Sequence, residues 1–329
     1  MISPDLPAAL KAALEAKLHG LSRQDAAARA TRISDTYRGG GNSGAITTDA
    51  DAIAYATVRM PATYAAVAAS LNALMQASPD FAPGTVLDVG AGPGTASFAA
   101  AEAFSSLTSF NAIDANPALR TLALSLAEDG LRSRDLTYAL GAARGLLDRA
   151  ERADLVMASY MIGELTDAER AAVVAALWTK TRHTLLIVEP GTPAGYQRII
   201  AARDQLIATG AHVAAPCPHA AACPLITSDW CHFVQRLARS RAHRELKGAD
   251  VPFEDEKFSF VAVTRQPVMH RPPARVLAPP MVTKIAATAK LCLADGSAAS
   301  VSIPRRDKVA FAAARRWDWG DGVDLPPRP

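Results

Sequence analysis

The chain lacks the features that would place it in a membrane or outside the cell. None of its 329 residues belong to an apolar run of the roughly 20 residues that a transmembrane helix needs. The first residues, Met1 to Leu6, lack the basic and apolar regions of a secretory signal. Hydrophobic residues make up 50% of the chain and charged residues 20%, which excludes a disordered protein. We therefore expect a folded protein of the bacterial cytoplasm, with no membrane partner.

Cysteine is scarce and unevenly placed. None of the four cysteines precedes Cys217; Cys223 and Cys231 follow it closely, and Cys292 comes later. A cytoplasmic chain does not favour disulfides, and the prolines beside Cys217 and Cys223 indicate a loop rather than a packed element. The sequence therefore predicts a metal site with these four ligands. Four buried, inert cysteines are the alternative interpretation.

The spacing of the cysteines bears on which metal is bound. Structural zinc sites usually pair cysteines as Cys-x₂₋₄-Cys, and the spacings here are wider. Thiol ligands at wide spacing, with a remote fourth, favour a [4Fe–4S] cluster, whose corners are farther apart than the ligands of one zinc ion. Zinc stays open as the alternative, with His219 or His232 in place of a thiol.

The Gly-x-Gly-x-x-Gly spacing of dinucleotide-binding proteins is also missing. In its place a buried strand ends at Asp88 and Val89, and the turn into the next helix contains Gly90, Gly92 and Gly94. The start of that helix offers free N–H groups to a ligand. This Asp-x-Gly-x-Gly-x-Gly pattern is similar to the first motif of class I S-adenosylmethionine (SAM) methyltransferases. A tight turn without a ligand is the alternative.

Strands and helices alternate after the glycine turn, which predicts an α/β fold with parallel strands and helices on both faces. Ligands of such sheets bind at the carboxyl ends of the strands. The second strand ends at Asp114, where a ribose-binding carboxylate is expected, and the loop after the fourth strand contains Glu164. The predicted cofactor-binding residues are Asp88, Gly90, Gly92, Gly94, Asp114 and Glu164.

Three regions are expected along the chain. Residues 1–80 form an N-terminal helical region, and residues 81–212 form the SAM-binding, methyltransferase-like domain. Residues 213–329 contain the cysteine loop, the last strands of the sheet and a basic β module.

Two local predictions concern helices. Pro61 predicts a break between a helix over 51–59 and another over 62–75. The arginine-rich run 235–244 predicts a basic helix.

Near the C-terminus, strands over 284–293 and 299–303 flank Asp295-Gly296, which predicts a β-hairpin. Cys292 lies on this hairpin and is expected to fold back to the earlier cysteines. A bound metal would then staple the C-terminal module to the methyltransferase-like domain.

The net charge of +3 is distributed unevenly. From residue 231 onward there are 17 Lys and Arg against 10 Asp and Glu, whereas the preceding residues hold 18 against 22. A basic C-terminal third suits a polyanion such as RNA, and an ordinary solvated surface is the alternative. The candidate RNA-binding residues are Arg59, Arg236, Arg239, Arg305 and Arg306.

The loop after the fourth strand lacks the Asn/Asp-Pro-Pro-Tyr motif of many amino-methylating enzymes. It reads Ser159-Tyr-Met-Ile162 instead. Because the sulfonium of SAM is already activated, methyl transfer needs mainly an oriented nucleophile. No catalytic base can be named from the sequence, and the missing motif bears on catalysis rather than on the cofactor fold.

Taken together, several segments resemble the Rsm22 family, which comprises methyltransferase-like proteins linked to the mitochondrial small ribosomal subunit and their bacterial relatives. The matching segments are Tyr55…Arg59-Met-Pro-Ala-Thr-Tyr64, Asp88-Val-Gly-Ala-Gly-Pro-Gly94, Glu189-Pro-Gly191, Cys217-Pro-His219, Cys223-Pro-Leu225, Trp230-Cys-His-Phe233 with Gln235-Arg236, and Cys292. The resemblance spans nearly the whole chain, and the cysteine block is its most specific part.

The resemblance implies a SAM-binding class I fold, an iron–sulfur site and association with small-subunit ribosomal RNA during ribosome assembly. Its implied cluster ligands are Cys217, Cys223, Cys231 and Cys292. Two hypotheses follow: an enzyme that methylates ribosomal RNA, or a non-catalytic, RNA-binding assembly factor that retains the SAM fold. A small-molecule methyltransferase is a third. In each case we expect a monomer.

Overall fold

The computed structural model describes residues 1–131, 135–225 and 228–325, which fold into two β-sheets and ten α-helices. The helices are α1 (Ala8–Leu18), α2 (Arg23–Arg38), α3 (Asp49–Ala77), α4 (Thr95–Ala103), α5 (Pro117–Gly130), α6 (Ala143–Leu147), α7 (Asp167–Lys180), α8 (Pro193–Ala208), α9 (Arg241–Lys247) and α10 (Lys308–Ala314). The strands are β1 (Thr85–Val89), β2 (Ser109–Asp114), β3 (Asp135–Leu140), β4 (Ala153–Ser159), β5 (Thr181–Pro190), β6 (His212–Ala215), β7 (Phe233–Ala238), β8 (Phe253–Thr264), β9 (Ala274–Val276), β10 (Met281–Val282), β11 (Ala286–Leu293), β12 (Ala298–Pro304) and β13 (Gly322–Val323).

The larger sheet has eight strands in the order β3-β2-β1-β4-β5-β8-β6, and β7 pairs with β8. The pairs among β1 to β5 are parallel, as the alternation predicted, whereas β8 runs antiparallel to β5, β6 and β7. β1 lies between β2 and β4, so Val89 pairs with Ile113 on one side and with Ala158 on the other. The carboxyl ends of these three strands therefore meet at one edge, beside the glycine turn.

Helices cover both faces of this sheet. Along β1, Val86 contributes to a core shared with α3 and α4, and the next residue, Leu87, contributes to a core shared with α7 and α8. This alternation is the two-residue period of a strand buried on both faces. Of the helices in the described ranges, none combines the length and apolarity needed to cross a bilayer.

Helix α3 corrects the prediction of a break at Pro61. Asp49–Ala77 form one helix with Pro61 in its interior. An interior proline removes one backbone hydrogen bond and typically costs about 3 kcal/mol. More than half of the residues of α3 are buried, and a capping box of Thr48 and Asp51 fixes its start. Tertiary packing therefore outweighs the local effect of the proline.

The predicted basic helix over 235–244 is also wrong. Its first residues belong to strand β7, which pairs along its whole length with β8, and only the second half is helical, as α9. The pairing residues Phe233 and Leu237 are buried, so the strand offers an apolar face that the count of arginines conceals.

The smaller sheet contains the predicted hairpin, formed by β11 and β12 in antiparallel register. The sheet order is β10-β11-β9-β13, and β9 falls within the proline-rich stretch that separates the two sheets in sequence. The larger sheet continues past residue 212, because β6 and β8 complete it.

Candidate functional site

A cavity of about 270 Å³ opens at the carboxyl ends of β1, β2 and β4. We call it the glycine-turn cavity. Its wall includes Gly90, Gly92, Thr95, Asp114, Ser159, Tyr160, Met161 and Glu164 from the sheet side, and Tyr37, Asn42, Ser43, Tyr55, Arg59, Met60 and Thr63 from the N-terminal helices.

The glycine turn has the backbone conformation that its sequence predicts. Gly90, Gly92 and Gly94 have φ angles of +71°, +54° and +81°, in the left-handed region that glycine adopts without strain. A Cβ atom on Gly90 would lie 2.4 Å from Cβ of Met161, so no larger residue fits there. The N–H of Gly90 donates to the carbonyl of Ile113 at 2.8 Å, which ties the turn to β2.

Asp88 lies beneath the turn and is not among the residues that line the cavity. Its carboxylate is fully buried, and Oδ2 accepts hydrogen bonds from the N–H and the hydroxyl of Ser97, at 3.1 and 2.8 Å. Burial raises the pKa of Asp88 to about 6. The structure thus gives Asp88 the role of fixing the start of α4.

Asp114 lines the cavity directly. Its two oxygens accept hydrogen bonds from the N–H of Gly92 at 2.9 Å and of Asn116 at 2.7 Å, so the carboxylate is held beside the turn. Burial raises its pKa, and the bonds from Asn116 and Gly92 oppose this rise. The hydroxyl of Tyr138 donates to the carbonyl of Gly92 at 2.7 Å, a support that sequence patterns did not reveal.

Glu164 lies on the opposite wall, where the N-terminal helices cover the cavity. Burial raises its pKa to about 7, while the backbone N–H of Ser43 and the hydroxyl of Tyr37 favour its charged form. The rings of Tyr37 and Tyr55 stack with centroids 5.9 Å apart. Since α2 and α3 are remote from the glycine turn in sequence, no local pattern could have placed these tyrosines here.

Arg59, predicted to bind RNA, lies in the wall of the glycine-turn cavity. Its Nη2 atom lies 3.5 Å from Oε1 of Glu256, and its guanidinium carbon lies 6.0 Å from the centre of the Tyr160 ring. The Tyr160 hydroxyl donates to the same Glu256 oxygen at 2.8 Å. Tyr160 has φ of +57°, a left-handed conformation that costs a bulky residue energy and is found mainly at functional sites.

Glu189, in the matched Glu-Pro-Gly segment, does not line the glycine-turn cavity. It is fully buried and accepts a hydrogen bond from Arg198 Nε at 2.7 Å. Burial raises its pKa, and Arg198 and the N–H of Gly163 oppose this rise. Glu189 therefore anchors the loop that contains Glu164.

The four cysteines line a second cavity, which we call the cysteine cavity. The structure brings together Cys217, Cys223, Cys231 and Cys292, although the last is remote in sequence. Among the described residues, no group of three or more His, Cys, Asp or Glu side chains is arranged to hold a single metal ion. The metal site, whether iron–sulfur or zinc, and the metal-stapled hairpin therefore stay predictions.

Polar partners surround these thiols. Nε2 of His219 lies 3.3 Å from Sγ of Cys292, and the hydroxyl of Tyr196 lies 3.1 Å from Sγ of Cys223. Burial raises the pKa of Cys292 to about 12. His232, the other predicted substitute ligand, stacks on Trp230 and is not part of the cavity wall.

Buried cations also lie beside the thiols. Arg203 and Arg275 line the cysteine cavity, with 1% and 4% of their surface exposed. Nη2 of Arg203 donates to the carbonyl oxygens of His219 and Ala221, while its Nε has no hydrogen-bond partner in the part of the chain that the structure describes.

Of the remaining candidate RNA-binding arginines, Arg236, Arg305 and Arg306 are exposed, whereas the Arg239 side chain is largely buried beside β8. Arg236 pairs with Asp255 at 2.7 Å, and Arg239 is bonded to Glu254 at 3.2 Å. Arg305 and Arg306 are exposed at the end of β12, where no ion pair is found among the described residues.

The strand order, the glycine turn and the cavity at the switch between β1 and β4 define a class: a Rossmann-like, methyltransferase-type α/β protein with a mixed sheet. A family model described as "Mitochondrial small ribosomal subunit Rsm22" matches residues 49–324. The chain belongs to the Rsm22 family, which confirms the resemblance found in the sequence.

Two curated relatives show the extent of the similarity. The chain is 30% identical over 299 residues to the human ribosome assembly protein METTL17, mitochondrial, covering 83% of this chain and 62% of the relative. It is 25% identical over 326 residues to Rsm22-cox11 tandem protein 2, mitochondrial, of Schizosaccharomyces pombe, covering 83% of this chain and 43% of the relative. The chain thus spans less than two thirds of the length of either relative.

Solved structures with similar folds are more distant. Magnesium protoporphyrin IX methyltransferase from Synechocystis PCC 6803 with bound SAM has a TM-score of 0.43 at 14% identity, covering 70% of this chain and 90% of its own. An O-methyltransferase family protein from Burkholderia thailandensis has a TM-score of 0.43 at 11% identity, covering 67% and 61%. Similarity at this level says nothing about the substrate.

Proposed function

We propose that this protein binds SAM in the glycine-turn cavity and acts on, or binds, small-subunit ribosomal RNA during ribosome assembly. The observation that supports SAM binding is Asp114, held by the Gly92 N–H at the edge of the cavity, where its free acceptor sites can bond ribose hydroxyls. The apolar wall beside it, formed by Ile113, Leu119 and Ala143, suits an adenine ring.

The proposal is tested by titrating the protein with SAM and with S-adenosylhomocysteine in a calorimeter. We expect one site per chain, and a weaker site after Asp114→Ala, because the ribose loses its acceptor. Absence of binding by the wild-type protein would refute the cofactor assignment.

Ribosomal RNA is the proposed partner because a curated relative is named a ribosome assembly protein, and because this chain presents exposed cations such as Arg305 and Arg306. The enzyme hypothesis predicts transfer of labelled methyl groups from SAM to immature small subunits or their RNA. Salt-sensitive RNA binding without methyl transfer would instead identify an assembly factor.

The assembly-factor alternative has support of its own. The loop after β4 lacks the amino-methylation motif, and the Tyr160 hydroxyl in that loop is already bonded to Glu256. The expected cytoplasmic location and monomeric state remain predictions.

We also propose that the cysteine cavity holds a [4Fe–4S] cluster. The donor set fits, because four thiols from two sequence regions face one cavity. The charge fits as well, because the buried Arg203 and Arg275 would balance an anionic, thiolate-ligated cluster. When bound, the cluster would link the hairpin to the larger sheet. Iron and sulfide analysis of anaerobically purified protein tests this, with about four of each per chain expected.

A further inference from the structure

Among the described residues that line the glycine-turn cavity, Arg59 is the only lysine or arginine. It is supplied by α3, between core residues such as Val58 and Met60. Its side chain is about one third exposed, at 32%, so it is largely enclosed yet open to a ligand.

The position of Arg59 relative to Asp114 is informative. Asp114 is the last residue of β2, whereas Tyr160, whose ring centre lies 6.0 Å from the guanidinium carbon of Arg59, follows β4, and β1 lies between these strands. Adjacent strands are about 4.8 Å apart, so the two walls are separated by about 10 Å. A ligand whose ribose lies at Asp114 would extend across the glycine turn with its other end towards Arg59.

We propose that Arg59 binds the α-carboxylate of the methionine part of SAM, and the same group of S-adenosylhomocysteine. This inference rests on the proposed SAM site and assigns a residue to the end of the ligand opposite the ribose. A guanidinium presents a planar fork of donors that matches a carboxylate, and such charge-assisted pairs are strong when partly buried.

The donors of Arg59 are available for this purpose. Its nearest acid is Glu256 at 3.5 Å, an ion pair without a hydrogen bond, and its guanidinium donates no hydrogen bond within the described ranges. The Oε1 atom of Glu256 already accepts the Tyr160 hydroxyl at 2.8 Å. Glu256 and Tyr160 are therefore positioning residues, which hold the cation at the cavity wall without saturating it.

The test compares two ligands that differ at one end. S-adenosylhomocysteine has the amino-acid group, whereas 5′-methylthioadenosine keeps the adenosine and the sulfur but lacks the carboxylate. Affinities of both are measured by calorimetry for the wild-type chain, Arg59→Gln and Arg59→Lys. Arg23→Gln is the matched control, because Arg23 also pairs with a glutamate, Glu245 at 3.1 Å, but lies outside the cavity wall.

We expect Arg59→Gln to weaken the affinity for S-adenosylhomocysteine by about tenfold to a hundredfold, which is the usual loss for a hydrogen bond to a charged group. Its affinity for 5′-methylthioadenosine should change less than about twofold, because that ligand has no carboxylate. The affinity of Arg59→Lys for S-adenosylhomocysteine should lie between those of the wild-type chain and Arg59→Gln, since lysine keeps the charge but lacks the planar fork of donors. Arg23→Gln should leave both affinities unchanged.

Equal weakening of both ligands by Arg59→Gln would overturn the inference, since Arg59 would then only shape the cavity. Unchanged affinities with lost RNA binding would overturn it in favour of a phosphate contact. If the wild-type chain binds neither ligand, the proposed SAM site fails and this inference with it. Thermal melting tests whether each variant is folded. If Arg59→Gln does not fold, the affinities of Arg59→Lys for the two ligands test the inference.

Discussion

The two cavities of this protein are built differently. One edge of the glycine-turn cavity is formed by a continuous segment, in which Gly90 and Gly92, both with positive φ, bring the backbone to the cavity. The cysteine cavity is assembled from side chains that the sequence separates, with Cys292 on a hairpin of the smaller sheet. The first depends on backbone conformation, and the second depends on the docking of one sheet against another.

This difference predicts different responses to mutation. A substitution in the glycine turn should abolish ligand binding without unfolding the chain. A change in the cysteine cavity should release the contact between the two sheets and lower stability. The four predictions below test this contrast, from the largest expected effect to the smallest.

Cys231→Ser should lose the bound metal and lower the free energy of unfolding by more than about 4 kcal/mol, as loss of a structural metal site typically does. Metal analysis and chemical unfolding measure the two effects. Wild-type protein stripped of metal by a chelator is the control and should unfold like the variant. Full metal content with normal unfolding would contradict both the site and the contrast between the cavities.

Gly92→Arg should abolish SAM binding, a loss of more than about a hundredfold, because the side chain would project from the turn into the cavity. Gly92→Ala is the matched control: at φ of +54° it is strained, but its Cβ would meet only Leu119 Cδ1, at 3.9 Å. Calorimetry should show retained binding for alanine and none for arginine. Unchanged SAM affinity in Gly92→Arg would show that SAM binds outside the glycine-turn cavity.

Asp88 should make stability depend on pH. Its pKa is about 6 in the folded chain, against an ordinary value of 3.8, so the folded state holds the proton more tightly. The free energy of unfolding should therefore fall by about 3 kcal/mol as pH rises from about 4 to about 6.

Asp88→Asn does not titrate and should remove this part of the slope. Urea unfolding at pH 4, 5, 6 and 7 compares the two proteins, and the difference between them isolates Asp88 from other groups. The same slope in both proteins would show that the buried carboxyl is already ionised at pH 4.

A pair of tyrosine variants gives the smallest effects. Tyr138→Phe removes the hydroxyl that bonds Gly92 O at 2.7 Å, and should lower stability by about 1 kcal/mol and SAM affinity severalfold. Tyr196→Phe removes the hydroxyl beside Cys223 and should leave SAM affinity unchanged. A larger effect of Tyr196→Phe than of Tyr138→Phe on SAM affinity would contradict the separation of the two cavities.

Much of the fold could be predicted because its signals are local. β1 and β2 end at Val89 and Asp114, as the sequence predicted, and the first five strands are parallel as the alternation of strands and helices indicated. The glycine turn is a local signal as well, because its positive φ angles favour glycine at closely spaced positions of the sequence.

The failures have the opposite cause. Pro61 lies inside α3 because neighbouring elements bury the helix, and the arginine-rich stretch after Phe233 is a strand because β8 offers it an apolar partner face. Tyr37 and Tyr55 line the glycine-turn cavity, and Tyr138 supports Gly92, through packing between distant segments. Local patterns cannot show such contacts.

Strand β8 links the two cavities. Glu256 on this strand holds the Tyr160 hydroxyl, and Ser259, three residues later, donates to the carbonyl of Cys231 at 2.8 Å. Strand geometry sets the distance and the facing of these two side chains, so a one-residue deletion between them would turn one to the wrong face. In genetic terms, this short segment should tolerate substitutions more readily than any change of length.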